Sequence, residues 1–169
     1  MLTLIKGADI FAPSPLGNQD VLIAGGKIVD IQPEINIENY HGVTIVDGSN
    51  CILTPGFVDS LVHITGGGGE AGFASRTPEM NLTDATLHGT TTVIAALGTD
   101  SSSRTHSNLI AKAKALKERG LNVFCHTGSY HLPAKTLTGS ITNDIMYIEE
   151  FIGVGEVAIS DHRSSQPTA

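Results

Sequence analysis

The chain has 169 residues, with 10 Lys and Arg against 17 Asp and Glu and a formal net charge of −7. At 40% hydrophobic and 16% charged it can bury a core, which excludes wholesale disorder, and its acidic balance argues against nucleic acid and anionic membrane as partners. No apolar run approaches the roughly 20 residues of a membrane helix, the N-terminus lacks a signal-peptide pattern, and two cysteines are too few for a disulfide framework. Cys51 and Cys125 therefore fit a reducing cytoplasm, with both thiols expected to be free and buried.

Residues 1–54 read as a small β unit. Val21 to Ala24 and Lys27 to Ile31 are short apolar or alternating runs, and Gly25-Gly26 between them signals a hairpin that needs positive φ. Val43 to Val46 and Cys51 to Leu53 look like further strands around the turn cluster Asp47-Gly48-Ser49-Asn50.

From residue 55 to residue 169 the pattern alternates. Phe57 to Ile64 is a strand candidate, and Thr77-Pro78-Glu79 predicts a helix start, with Thr as cap and Pro at the first helical position. Thr90 to Leu97 suits a buried parallel strand. Ser107 to Arg119 has Leu109, Ala113 and Leu116 at helical spacing and Gly120 as terminator. Leu121 to Cys125 is a strand. Ser140 predicts a helix cap, with Ile141, Ile145, Ile148 and Ile152 as the apolar face, and Val154 to Ser160 is the last strand. Strands alternating with helices at this period predict a parallel sheet covered by helices, as a (β/α)₈ barrel or a doubly wound sheet.

Function in parallel α/β folds gathers at the carboxyl ends of strands. That rule selects Asp59 to His63 with Gly66 to Glu70, then Gly98-Thr99-Asp100, then His126 to His131, then Glu156 with Ser160 to Arg163. A histidine on a strand is commonly a hydrogen-bonded core residue, so His63 alone carries little. Glu156 lies in an apolar run, and a buried carboxylate needs a metal, a cation or strong donors. The glycine run Gly66 to Gly69 lets backbone approach a ligand, but it matches neither a dinucleotide nor a P-loop fingerprint. Arg163 suits bidentate carboxylate recognition. His41, His88 and His106 read as loop or surface residues.

At Pro55-Gly56-Phe57-Val58-Asp59 leading to His63, the sequence resembles the metal-dependent amidohydrolase superfamily. Gly66 to Glu70, Gly98-Thr99-Asp100, Thr127 to His131 and Ala158 to Arg163 resemble, more specifically, the isoaspartyl dipeptidase family within it. The resemblance implies a partial (β/α)₈ (TIM) barrel, its first four β/α units, after an N-terminal β-sandwich portion. It also implies two zinc ions, a bridging hydroxide, and hydrolysis of β-aspartyl dipeptides. On this resemblance His63 is a metal ligand, and Glu156 stands where the family often has a carboxylated lysine bridging both metals. Glu70 holds the substrate α-amino group, Tyr130 polarises the scissile carbonyl, Arg163 clamps a carboxylate, and Gly68 and Thr99 lie in substrate-contact segments.

Two departures qualify that expectation. Leu61 replaces the first signature histidine and cannot bind zinc, and the family's later histidines and aspartate have no counterpart in 169 residues. The count leaves two metal donors where a catalytic zinc site needs three. The expectation is a truncated chain, inactive alone. The alternatives are an enzyme completed by a complementary C-terminal half or a homo-oligomer, and a non-catalytic binder of small peptides or amino acids.

Overall fold

The structure, a computed structural model, describes residues 1–37, 41–69 and 71–159. The chain divides into two compact units, Met1–Pro55 and Gly56–Ala169.

The first unit is a five-stranded sheet of β1 (Leu2–Phe11), β2 (Pro15–Ala24), β3 (Lys27–Gln32), β4 (Val43–Asp47) and β5 (Ile52–Leu53). Its order is β3-β2-β1-β4, with β5 also on β1. The hairpin between β2 and β3 turns at Gly25 and Gly26, both at positive φ, as a two-residue turn of this hand requires. The buried carboxylate of Asp20 accepts from Gly7 N at 2.8 Å and Ile35 N at 3.0 Å, tying β2 to an irregularity in β1 and to the segment after β3. The core is small: Ala8, Ile10 and Val21, backed by Ile5, Ile23 and Leu53. Ile28, Val29, Ile45, Val46 and Ile52 stay exposed. Cys51 is exposed too, against expectation, because it sits in the turn before β5 and outside the apolar face.

The second unit is a parallel sheet, β6 (Phe57–Val62), β7 (Thr90–Ala95), β8 (Asn122–Thr127) and β9 (Phe151–Val154), in sequential order. Three helices connect them: α1 (Leu82–Thr86), α2 (His106–Glu118) and α3 (Ile141–Tyr147). This is the β/α succession of an opening (β/α)₈ barrel after an N-terminal β portion. Alternation along the strands builds the core: Val93 pairs with Val123 and Ala95 with Cys125 in register. Both pairs pack with Leu109, Ala113 and Leu116 of α2 and with Phe151 of β9. The α2 terminus is the motif that Gly120 predicts, with Leu121 N donating to Leu116 O and Gly120 N to Lys117 O. Among the described residues no helix is long and apolar enough to cross a membrane.

Three element expectations need correction. The first helix does not begin at Thr77-Pro78. It begins at Leu82, where Asn81 and Asp84 form a reciprocal capping box. Thr77 is engaged elsewhere: its hydroxyl accepts from Gly67 N at 2.7 Å and its N–H donates to Gly67 O at 3.0 Å. In α3 the residue turned inward is Asp144, whereas Ile141 and Ile145 remain exposed. Asp144 accepts from the Thr127 hydroxyl, from Leu137 N and Thr138 N at 2.8 Å each, and from the Thr138 hydroxyl at 2.6 Å. Four donors make the buried carboxylate tolerable there, and of the four isoleucines expected to form the apolar face Ile148 packs against the core. The last strand is Phe151–Val154, so Glu156 lies just past its end and Ile152 is exposed.

Candidate active site

Four strand ends of the second unit point the same way, and the loops leaving them carry the chemistry. His63 follows β6 and Glu156 follows β9, the two edges of the sheet order. His63 Nε2 and Glu156 Oε2 nevertheless meet at 3.0 Å. Three interstrand steps of about 4.8 Å would hold flat edge strands some 14 Å apart. The contact therefore requires the sheet to curl, as barrel staves do. Both side chains are about one-third exposed. With Glu156 ionised, the ring nitrogen facing it carries the proton, since a carboxylate only accepts.

Glycines make room for the histidine. A Cβ on Gly98, which has φ +74°, would lie 2.9 Å from His63 Nε2, and one on Gly67 would lie 3.0 Å from Nδ1. The loop after β6 and the loop after β7 both approach the ring closely. A second histidine, His126 of β8, is accommodated in the same manner: a Cβ on Gly155 would sit 2.9 Å from its Nδ1, and Gly153 is its register partner in β9. His126 stands near the carboxyl end of β8, among the strand-end residues of the sequence. The signal that finds it is a glycine at the matched position on the neighbouring strand.

Beside His63 a cavity of about 410 Å³ is lined by Gly68, Gly69, Arg76, Thr99 and Asp100, with Phe73 at its rim. Asp100 accepts from the Ser103 hydroxyl, from Ser102 N at 3.0 Å and Ser103 N at 2.9 Å, and pairs with Arg76 Nη1 at 2.6 Å. The Ser103 hydroxyl, then these N–H donors and Arg76, hold its carboxyl far below the ordinary range. Arg104 is buried and fixes the glycine loop, donating to Thr65 O and Gly67 O at 3.1 Å each. No local pattern in the sequence marks Arg76 and Arg104, whose partners lie in other loops.

Tyr130 is buried, its carbonyl accepting from Ala158 N at 3.0 Å and its ring edge-on to His131. The loop after β8 is therefore tied to the segment that carries Glu156. Gly68 adopts φ +69°, and a Cβ there would strike Ser75 O at 2.4 Å, so the glycine run is a fixed loop at this point. Leu61 lies on β6 with an exposed side chain. Glu70 and Arg163 lie outside the described residues. His106, expected at the surface, is buried at the start of α2 with its ring edge-on to Phe151.

The donor chemistry decides how far a metal fits. An imidazole and a carboxylate are apt zinc donors, but among the described residues no group of three or more His, Cys, Asp or Glu could hold a metal ion. Two donors fall short of the three that a catalytic zinc requires. The described residues do not by themselves fit that group, and no hydrolytic step follows from them alone.

No protein-family profile matches the chain. A dihydroorotase of Pediococcus pentosaceus is 29% identical over 170 aligned positions, covering 100% of this chain and 37% of that protein. A dihydroorotase of Pelotomaculum thermopropionicum is 28% identical over 165, covering 95% and 35%. Among solved structures, the β-aspartyl dipeptidase of Fervidobacterium islandicum AW-1 in complex with the β-Asp-Leu dipeptide aligns with a TM-score of 0.94 and 48% identity. That alignment covers 99% of this chain and 44% of the dipeptidase, so the chain spans less than half the length of the proteins it matches. A dihydropyrimidinase of Brevibacillus agri, at 18% identity and TM-score 0.64, shares the fold alone. Over nearly its whole length, then, this chain is similar to a β-aspartyl dipeptidase and, at lower identity, to dihydroorotases.

Proposed function

We propose that the chain forms the substrate-binding half of a metal-dependent hydrolase site for β-aspartyl dipeptides, and that its 169 residues alone bind such dipeptides without turning them over. The observation that carries this reading is the 3.0 Å meeting of His63 and Glu156 at the mouth of a curled sheet. Beside it, loops rich in glycine leave a cavity lined by Gly68 and Thr99.

In this reading His63 and Glu156 are two of the ligands of a zinc site, and other strands must supply the rest. The metal would polarise the scissile carbonyl and activate water. Gly68, Thr99, Glu70 and Arg163 hold the dipeptide, and Tyr130 supports the carbonyl. Among the described residues β6 and β9 are the edges of their sheet, and exposed Phe57, Val58, Ile152 and Val154 on them support completion by further β/α units, from more polypeptide or another chain.

Calorimetry with β-Asp-Leu, run with and without zinc, followed by amino-acid analysis of the mixture, tests the proposal. Saturable binding with no free aspartate is the expected result. Absence of binding at millimolar peptide would overturn it. So would stoichiometric tight zinc with full turnover on this chain alone, which would show that the two-donor count is mistaken.

A further inference from the structure

We infer that His106 is an acid-sensitive latch between the start of α2 and the loop after β8, residues 128–139, and that protonating it releases that loop. His106 is 4% exposed, with its ring edge-on to Phe151 of β9 at 5.8 Å between centroids. Its Nε2 is wholly enclosed and has no hydrogen-bond partner among the described residues. In the neutral ring that nitrogen can remain a bare acceptor. In the imidazolium both nitrogens carry hydrogen, so protonation buries a charge together with an N–H that nothing accepts.

The charged groups around the ring are already engaged. Asp144 of α3 and the Gly128 backbone favour the charged ring, but burial is the larger influence and holds the imidazole below its ordinary range. The Asp144 lone pairs are taken up by Thr127, Leu137 and the two donors of Thr138, which leaves none for an imidazolium. Glu150, next to Phe151, is turned to Lys114 at 2.9 Å and Lys117 at 3.4 Å. Toward solvent, His106 shares a cavity of about 280 Å³ with Arg104 and Lys135, and no described carboxylate lines it. Arg104 donates to Thr65 O and Gly67 O, and Lys135 Nζ to Ser101 O at 2.8 Å. The N-terminus of α2 adds partial positive charge, and its first turn holds no acid.

His106 borders both ends of the loop it holds. The loop leaves β8 at Gly128, whose backbone faces the ring, and returns through Lys135, Thr136 and Leu137, which line the shared cavity. Tyr130 rides between these ends, so release of the loop takes apart one side of the candidate site. A histidine kept neutral in the closed form binds its proton more readily once the loop is open. The closed form therefore loses stability as pH falls below the ordinary histidine value of about 6.5, and goes on losing it until the lower closed-state value is reached.

Amide hydrogen exchange on the full chain, followed by NMR from pH 7 to pH 5.5 and expressed as protection factors, tests the latch. The reporters are the Lys135 N–H, held by Ser129 Oγ, and the Leu137 and Thr138 N–H groups, held by Asp144. Wild-type protection at these amides is expected to fall by up to about eightfold, the limit for one proton taken up by the open form alone. Amides of the β7–β8 ladder should keep theirs. His106→Gln cannot titrate and should flatten the profile, with a thermal melt to check that it is folded. An undiminished fall in folded His106→Gln overturns the assignment and moves the effect to another histidine, such as His131 on the same loop. An equal fall throughout the β7–β8 ladder overturns it too, because the unit then opens as a whole. The wild type is decisive whether or not the variant folds: flat protection, or a His106 imidazole that NMR shows titrating at or above pH 6.5 in the folded chain, refutes the latch.

Discussion

Gly98→Ala isolates the close approach on which the candidate site is built. Two costs are expected. The backbone at φ +74° is left-handed, which costs a residue with a Cβ about 1–2 kcal/mol. The new methyl would also stand 2.9 Å from His63 Nε2 and 3.0 Å from Cδ2, several tenths of an ångström inside ordinary contact. The ring has little room to retreat, because a Cβ on Gly67 would already lie 3.0 Å from its Nδ1. Overpacking of this kind adds about 1–3 kcal/mol, for a total of about 2–5 kcal/mol in urea denaturation. Gly120→Ala is the control: φ is +98° and nothing lies within 4 Å, so it pays for backbone strain alone. In a His63→Ala background the steric part of the Gly98→Ala cost should vanish, giving a coupling of at least about 1 kcal/mol in the double-mutant cycle. If Gly98→Ala costs no more than Gly120→Ala, or if the coupling stays below about 0.5 kcal/mol, the ring does not occupy the slot between the loops and the account of the site is wrong.

Asp144→Asn should cost about 2–4 kcal/mol at pH 7, because an amide presents N–H groups to the donors that now converge on a buried carboxylate. Burial acts to raise the carboxyl's pKa, but the Thr127 and Thr138 hydroxyls and the Leu137 and Thr138 N–H groups outweigh it, so the folded-state value is lowered. The stabilisation is thus present above the unfolded aspartate pKa of about 3.9 and lost as pH falls through the folded value. Urea curves from pH 7 downward should show wild type and variant converging in acid, and a constant gap would contradict the assignment. The two thiols should separate kinetically. Cys51 is exposed, whereas burial pushes Cys125 up to about 12. A disulfide reagent at pH 8 should titrate one thiol rapidly and the second only on unfolding; two fast thiols would refute the packing of β8 against α2.

What the sequence made legible were features decided by nearby residues. Gly25-Gly26 set a hairpin, Gly120 ended α2, and Ser140 capped α3, with its hydroxyl accepting from Asn143 N. The order of strands and the gathering of His63, Thr99, Tyr130 and Glu156 at strand ends also followed from local pattern with one topological rule. The misreadings have a common cause, a local signal overruled by a distant partner. Thr77-Pro78 has the chemistry of a helix start, yet its donor and acceptor go to Gly67, ten residues back. Isoleucines at helical spacing predicted the buried face of α3, yet Asp144 is the residue that faces inward. Thr127 and the 137–138 loop turn it inward, and no helical periodicity could report that. Arg76 and Arg104 passed unnoticed because each acquires its meaning from carbonyls or a carboxylate in another loop.

The same distinction explains why the His63–Glu156 pair depends on more than its own residues. The two partners follow β6 and β9, and the curl of the β6-β7-β8-β9 sheet together with the reach of both side chains brings them together. That curl is set by strand twist and by register, and the β6–β7 and β8–β9 ladders both contain register shifts near the mouth, between Asp59 and Val62 and between Cys125 and His126. Each shift re-aims the residues beyond it, so His63 and Glu156 are placed by irregularities two or more residues upstream. The β7–β8 ladder between them runs without a shift, Thr92 to Ala95 against Asn122 to Cys125, and the α2 core packs on it. A regular central pair backed by a helix thus fixes the frame, while the irregular outer ladders steer the two candidate ligands. Cavities cut into the central pair should lower stability with the site geometry retained, whereas a substitution that straightens an outer ladder should separate His63 from Glu156 without touching either.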